Sequence, residues 1–423
     1  MNQEIQKVIE YVEAGRTEEG LAQLKKIEKS AHDEEKFLIA DLYYQWGMVE
    51  DALRIAEDLQ LLYPEEADIT LLLSEIYMEL DEEEKVIQLL STIPSSHPSY
   101  PRSLILLADL YQLQGLPEVS EQKLLEAKSL LPDEKIIDFA LGELYFHLAQ
   151  YKKAISAYEL VLKEVEEITN INVHSRLAEC LSLNGQFEEA LEHYQKGIQS
   201  HADLHTFFGY GITAMQAEYY QTAITQLEKV KEMDPEYTSV YLPLARSYEH
   251  EGMLKESLDA VKSGIQYDEF NKELYYYGGK IALKMQSVQQ AEQLMQEALA
   301  LDPGYIEAAI TLTDVYNEDE RYEETVELLT DLINKFDEFD PKFDWNLAKA
   351  YNGIEQYSDA LKHYERAYTF FKEDIDFLQE FAYFALEEGD RKRAKSLFEE
   401  AAKLDSTNVE IQDMILQLED NFS

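Results

Sequence analysis

The sequence predicts an all-α solenoid, a file of like helical hairpins running from near residue 1 to near residue 408 with one more helix behind them. Three observations predict it. Pro64, Pro98 and Pro132 are spaced 34 and 34 residues apart, and Pro235 and Pro303 are 68 apart, twice that interval. Each lies between two apolar, helix-periodic runs, where a proline stops one helix and opens the next. Small residues return at two fixed places in most intervals, and no segment carries a sustained period-2 run.

With the prolines at position 32, twelve segments align, starting near residues 1, 33, 67, 101, 135, 171, 204, 238, 272, 306, 341 and 375. Position 8 is usually Ala or Gly (Ala40, Ala108, Gly142, Ala178, Gly211, Gly279), and position 20 is usually Ala (Ala52, Ala154, Ala190, Ala291). Small side chains there let two helices cross at the usual axial separation of about 8–10 Å. Position 15 is often Gly, as in Gly47, Gly115 and Gly185, where it ends the first helix in a left-handed conformation. Position 11 is Tyr in eight segments, and position 24 is large in most, for example Tyr158, Tyr194 and Phe398. These fill the space between one hairpin and the next; no hairpin buries that face alone, so the hairpins must stack. The tenth segment departs with Thr at both small positions, and the first has Val8 and no proline.

Residues 164–172 add two residues before the sixth segment, and residues 334–345 add one before the eleventh; both read as loop insertions. The expected divisions are 1–170 for segments one to five, 171–408 for segments six to twelve, and 409–423 for a capping helix with Ile411, Met414, Ile415 and Leu418 on one face.

This pattern resembles the tetratricopeptide repeat (TPR) family across the whole chain, which is also similar to the YpiA-type TPR proteins of Gram-positive bacteria. The resemblance implies a right-handed superhelix with the first helix of each hairpin lining a concave face, and positions 2, 5, 9, 12 and 13 facing inward.

Composition bounds the function. With 85 acidic residues against 37 basic ones, the formal charge is −48, which repels nucleic acid and anionic membrane and attracts basic partners. Most of these acids simply solvate a long surface. One cysteine, Cys180, leaves no intrachain disulfide, and no apolar run approaches the roughly 18 residues of a membrane span. The first residues carry no secretory signal, and the register begins too early for an N-terminal output domain. The expected location is the cytoplasm.

Catalytic chemistry finds little to use. Gly209-Tyr210-Gly211 and Gly278-Gly279-Lys280 fall inside predicted helices, where glycine serves packing; a phosphate cradle needs a loop before a helix. His201 and His205 have metal-like spacing around Asp203 but no third ligand. Cys180 reads as a buried thiol. No enzyme activity, cofactor or metal is expected.

The inward positions are more informative. Position 9 reads Asp41, Glu75, Asp109, Glu143 and Glu179 through segments two to six, then Ile212, Arg246, Lys280, Asp314, Lys349 and Tyr383. Position 5 runs beside it as Phe37, Leu71, Ile105, Phe139, Ser175, later reaching Trp345. An acid row beside an apolar row suits a basic or amphipathic protein segment. The alternative is that position 5 is covered by its neighbours and that acids are common everywhere. Segment two has Phe37 and Asp41 where the carboxylate clamp of chaperone-binding TPR proteins has Lys and Asn, which disfavours that ligand. The expected function is an adaptor or scaffold for one or more partner proteins, with a peptide-sensing regulator as the alternative. The groove around Arg246, Lys280, Trp345 and Lys349 is the next candidate surface.

Overall fold

The computed structural model describes residues 3–200, 203–336 and 338–420. Among them are twenty-five α-helices, one short 3-10 turn and one two-stranded hairpin. The chain divides into two compact units, Met1–Thr206 and Phe207–Ser423. Each is built from helix pairs, such as Lys135–His147 with Tyr151–Val161 in segment five, or Lys272–Lys284 with Val288–Leu301 in segment nine.

The turn inside each hairpin fixes the register. Position 15 of all twelve segments has a positive φ: six are glycines, Gly15, Gly47, Gly115, Gly185, Gly252 and Gly389, and six are Asp81, Ala149, Glu218, Gln286, Glu320 and Glu355. The amide of position 16 donates to the carbonyl of position 11, as from Gln150 to Tyr145 at 2.8 Å, and that of position 15 to position 12, as from Ala149 to Phe146 at 2.9 Å. This paired arrangement satisfies carbonyls at the helix end that would otherwise lack partners.

Above the turn, the small residues at positions 8 and 20 are wholly buried where the two helices cross, for example Ala40 with Ala52 and Ala348 with Ala360. The threonines of segment ten fit the same crossing because their hydroxyls are occupied. Thr313 donates to the Ala309 carbonyl at 2.8 Å and accepts from Asn346 at 2.9 Å.

Tyrosines tie successive hairpins together. Their rings pack between hairpins while their hydroxyls reach a carboxylate on the preceding one: Tyr43 to Glu28 at 3.1 Å, Tyr77 to Glu57 at 2.6 Å, Tyr145 to Glu121 at 2.7 Å and Tyr248 to Glu228 at 2.8 Å. A buried phenol needs such an acceptor. Many of the acids are therefore structural partners, and not only surface charge.

The insertion at 164–172 is more than a plain loop. Glu167–Ile168 and Ile171–Asn172 pair antiparallel, Glu167 opposite Asn172 and Ile168 opposite Ile171. Thr169 and Asn170 turn the chain with φ of 50° and 63°, the two-residue turn whose twist suits a hairpin. Asn172 then caps the next helix, its side chain accepting from the Ser175 amide at 3.0 Å. At the second insertion, Asp340 caps Pro341–Gly353 by accepting from the Lys342 amide at 2.7 Å. Val409–Asp420 packs on Arg391–Leu404 through buried Ile411 and Leu418, with Met414 and Ile415 half-buried.

Candidate partner-binding groove

The nine residues singled out in segments two to six lie on first helices of the N-terminal unit, but they do not form one uniform surface. In the apolar row, Phe37 and Ile105 are half-buried. Leu71 is wholly buried in the core, and Phe139 is 5% exposed, its ring 5.8 Å from that of Tyr158. Leu71 thus offers no surface to a ligand, and Phe139 almost none; both support the wall from behind.

The acid row is partly used by the protein itself. Arg176, three residues before Glu179 on the same helix, reaches back to segment five. Its Nε meets one Glu143 oxygen at 2.9 Å and its Nη2 the other, while Nη1 meets Glu179 at 2.9 Å. Its guanidinium also covers the Phe146 ring at 4.6 Å. Burial works against this charge, yet the contact with Glu143 keeps the guanidinium well above its usual value. Glu143 further accepts from the Tyr158 hydroxyl at 2.5 Å. Burial, then the Glu143 charge, push that phenol strongly upward. Glu75 holds Arg102 at 3.1 Å, and Asp41 accepts from Gln45 at 2.9 Å.

Asp109 is the exception. Its side chain makes no hydrogen bond or ion pair among the described residues. Solvent reaches it along the groove. Protein nonetheless surrounds it on several sides, and this desolvation, with the charge of Glu75, pushes its carboxyl up to about 6. Asp109 lines a cleft of about 350 Å³ with Ile105, Phe139 and Glu143, so four of the nine residues meet at one place. Leu113, 73% exposed, adds an apolar edge, and Thr169 at the tip of the inserted hairpin adds another side.

Sequence reasoning missed Arg176, Leu113 and Thr169. Arg176 was within reach, since an i, i+3 pair with Glu179 and a one-repeat offset of 33 residues from Glu143 are both readable. Thr169 was not, because Thr-Asn lacks the glycine that usually marks a hairpin turn.

The glycine motifs that invited catalytic readings lie at helix-packing contacts. Gly211 faces Leu227, and Gly279 faces Met295, within helices Leu204–Gln216 and Lys272–Lys284. Cys180 is buried, and desolvation pushes its thiol up to about 12. His205 is exposed, and His201 lies outside the described residues. Among the described residues, no group of three or more His, Cys, Asp and Glu side chains is placed to hold a metal ion, and no helix is long and apolar enough to cross a membrane.

Three family models match: YpiA-like tetratricopeptide repeats over residues 112–165, YpiA-like C-terminal tetratricopeptide repeats over 341–406, and the general tetratricopeptide repeat over 43–110 and 282–350. Among solved structures, YrrB, a TPR protein with an unusual peptide-binding site, is 16% identical, over 44% of this chain and 95% of its own, with a TM-score of 0.40. A chain of the APC/C hetero-tetramer Cut9–Hcn1 is 12% identical, over 99% of this chain and 96% of its own, with a TM-score of 0.43. The TPR repeat-containing protein YpiA of Bacillus subtilis (strain 168) is 50% identical over 423 residues, the whole of both chains. The chain belongs to the YpiA-like family of tetratricopeptide-repeat proteins.

Proposed function

We propose that the chain is a cytoplasmic, non-catalytic adaptor that holds a partner protein by a basic or amphipathic segment lying in the groove of segments two to six. The observation that carries this reading is Asp109, an open carboxylate without a partner at the mouth of a cleft edged by Ile105 and Leu113. A lysine or arginine there relieves the charge crowding that raises Asp109, while apolar neighbours of that residue enter the cleft. Asp41, with a single hydrogen bond from Gln45, extends the attraction along the row. The apolar contacts supply most of the affinity, because exposed ion pairs contribute only about 0–1 kcal/mol each. The acids set orientation and association rate, which salt screens.

The test uses a fluorescein-labelled amphipathic peptide of Leu and Lys, followed by anisotropy at low and high salt. Asp41→Lys with Asp109→Lys is expected to weaken binding at least tenfold and to flatten its salt dependence, with helicity unchanged. Ile105→Ala with Leu113→Ala is expected mainly to speed dissociation. Glu143 is left in place because Arg176 and Tyr158 depend on it. Unaltered affinity and salt dependence in the charge-reversed variant would remove this groove as the site. A short peptide copurifying with the native chain would favour the peptide-sensing alternative.

A further inference from the structure

The C-terminal unit carries a site of opposite character. At position 9 of segments eight and nine, where the N-terminal unit has acids, stand Arg246 and Lys280. Both are exposed, and both line one cleft of about 420 Å³ with Tyr276 and Tyr305. Seven of the nine arginines, Arg16, Arg54, Arg102, Arg176, Arg321, Arg366 and Arg393, lie within 4.0 Å of a carboxylate. Arg246 has no such partner among the described residues, and neither has Lys280. In a chain with 85 acids, two neighbouring groove cations without an ion pair mark carboxylate bonds left unmade.

Two carboxylates, Glu249 and Glu273, line the same cleft, and neither closes an ion pair with Arg246 or Lys280. Glu249 accepts from the Tyr277 hydroxyl and from Lys284. Burial opposes its charge, but these two donors, with the charges of Lys284 and, more weakly, Lys280, hold its carboxyl below the usual range. Glu273 lies in the first turn of its helix, where the helix dipole favours a negative charge. Arg246 instead faces the Tyr277 ring at 5.7 Å, and Lys280 the Tyr276 ring at 5.6 Å. The tyrosines are themselves braced, Tyr276 standing edge-on to Tyr305 at 5.2 Å. The cleft thus offers two cations beside tyrosine rings, with hydrogen-bond donors that meet no acceptor among the described residues.

We infer that the groove of segments eight and nine binds an acidic peptide segment, with Arg246 and Lys280 receiving two of its side-chain carboxylates and Tyr276 and Tyr305 packing against the stem of the segment. An isolated ion would gain little from so open a cleft; a peptide adds backbone and aliphatic contact along the groove. The overall charge of −48 does not forbid this. At physiological ionic strength the Debye length is about 8 Å, so the nearest charges dominate. Arginine in addition offers a planar two-pronged match to a carboxylate.

The experiment titrates the full chain into fluorescein-labelled octaglutamate, octalysine and a neutral Gly-Ser octapeptide at physiological ionic strength. Octaglutamate is expected to bind and the neutral peptide not to. Arg246→Glu with Lys280→Glu is expected to weaken octaglutamate binding at least tenfold, while Lys280→Arg retains it. Lys255→Glu with Lys262→Glu, at two exposed lysines on the second helix of segment eight, makes the same change in net charge and is expected to leave binding intact. Asp41→Lys with Asp109→Lys is expected to affect octalysine without abolishing octaglutamate binding, which separates this site from the N-terminal groove. The inference is overturned if octaglutamate binds no better than the neutral peptide, or if the Lys255 and Lys262 reversal weakens binding as much as the groove reversal does.

Discussion

Two glycines at the same repeat position should respond in opposite ways to the same added methyl group. A Cβ at Gly142 would lie 2.7, 2.9 and 3.0 Å from three ring carbons of Tyr158, and one at Gly279 would lie 2.6 Å from the terminal methyl of Met295. Ordinary carbon contacts are about 3.5–4.0 Å, so either neighbour must yield by up to about 1 Å. Tyr158 cannot yield easily: its ring is fully buried, and its hydroxyl is held by Glu143 at 2.5 Å. Only the terminal methyl of Met295, the end of a flexible side chain, lies under 3.0 Å; its Cγ and Sδ, at 3.1 Å, need give only a few tenths of an ångström. In a helix interior, Gly→Ala alone stabilises by about 1 kcal/mol, whereas overpacking costs about 1–3 kcal/mol. Gly142→Ala should therefore destabilise its unit by about 0–2 kcal/mol, and Gly279→Ala should be neutral or stabilising by up to about 1 kcal/mol. The two tryptophans provide the assay, since Trp46 lies in the N-terminal unit and Trp345 in the C-terminal one. Urea unfolding is followed by fluorescence in Trp345→Phe and Trp46→Phe backgrounds respectively. Tyr158→Leu should partly rescue Gly142→Ala, and Gly142→Trp or Ala154→Trp should unstack the fifth hairpin outright. If Gly142→Ala stabilises as much as Gly279→Ala, the Tyr158 ring does not wedge the crossing, and the packing account of position 8 is wrong.

Three other outcomes are expected. Ala149→Gly should stabilise the N-terminal unit by about 0.5–1 kcal/mol in urea unfolding, because Ala149 has φ of 54° in an open turn; unchanged stability would refute the cost assigned to that turn. His174 and His193 meet Nδ1 to Nδ1 at 2.9 Å, and burial first, then His174 and Lys196, depress His193 to about 4. The folded state therefore favours the neutral ring, so this contribution is intact above pH 6.5 and is lost as pH falls from there toward 4. His193→Asn should reduce the loss of stability between pH 7 and pH 5 by about 1 kcal/mol, and an unchanged pH profile would contradict this. Asp109 has the opposite sign: its raised carboxyl penalises the folded state at neutral pH, so Asp109→Asn should stabilise at pH 7, and the gain should fade as pH falls through about 6 toward the unfolded value near 3.8. A gain independent of pH would show that the carboxylate charge is not its cause.

The sequence by itself determined the hairpin, its length and its turn. Pro64, Pro98 and Pro132 mark the period, and small residues such as Ala40 and Ala52 mark the crossing, because backbone sterics and close helix packing demand those residue types wherever the unit recurs. It also determined that position 15 must be left-handed, a demand met even at Ala149 and Glu320, where the residue itself gives no sign. What it did not determine is which groove residues are free. Asp109 and Glu143 occupy the same repeat position with the same charge sign, yet Arg176 occupies Glu143 and nothing occupies Asp109. Leu71 and Ile105 are likewise equivalent in register, but one is wholly covered and the other only half. A repeat register says which way a Cα–Cβ bond points. Whether the group at its end is bonded, covered or open depends on side chains about one repeat away, and only the tertiary structure brings those together.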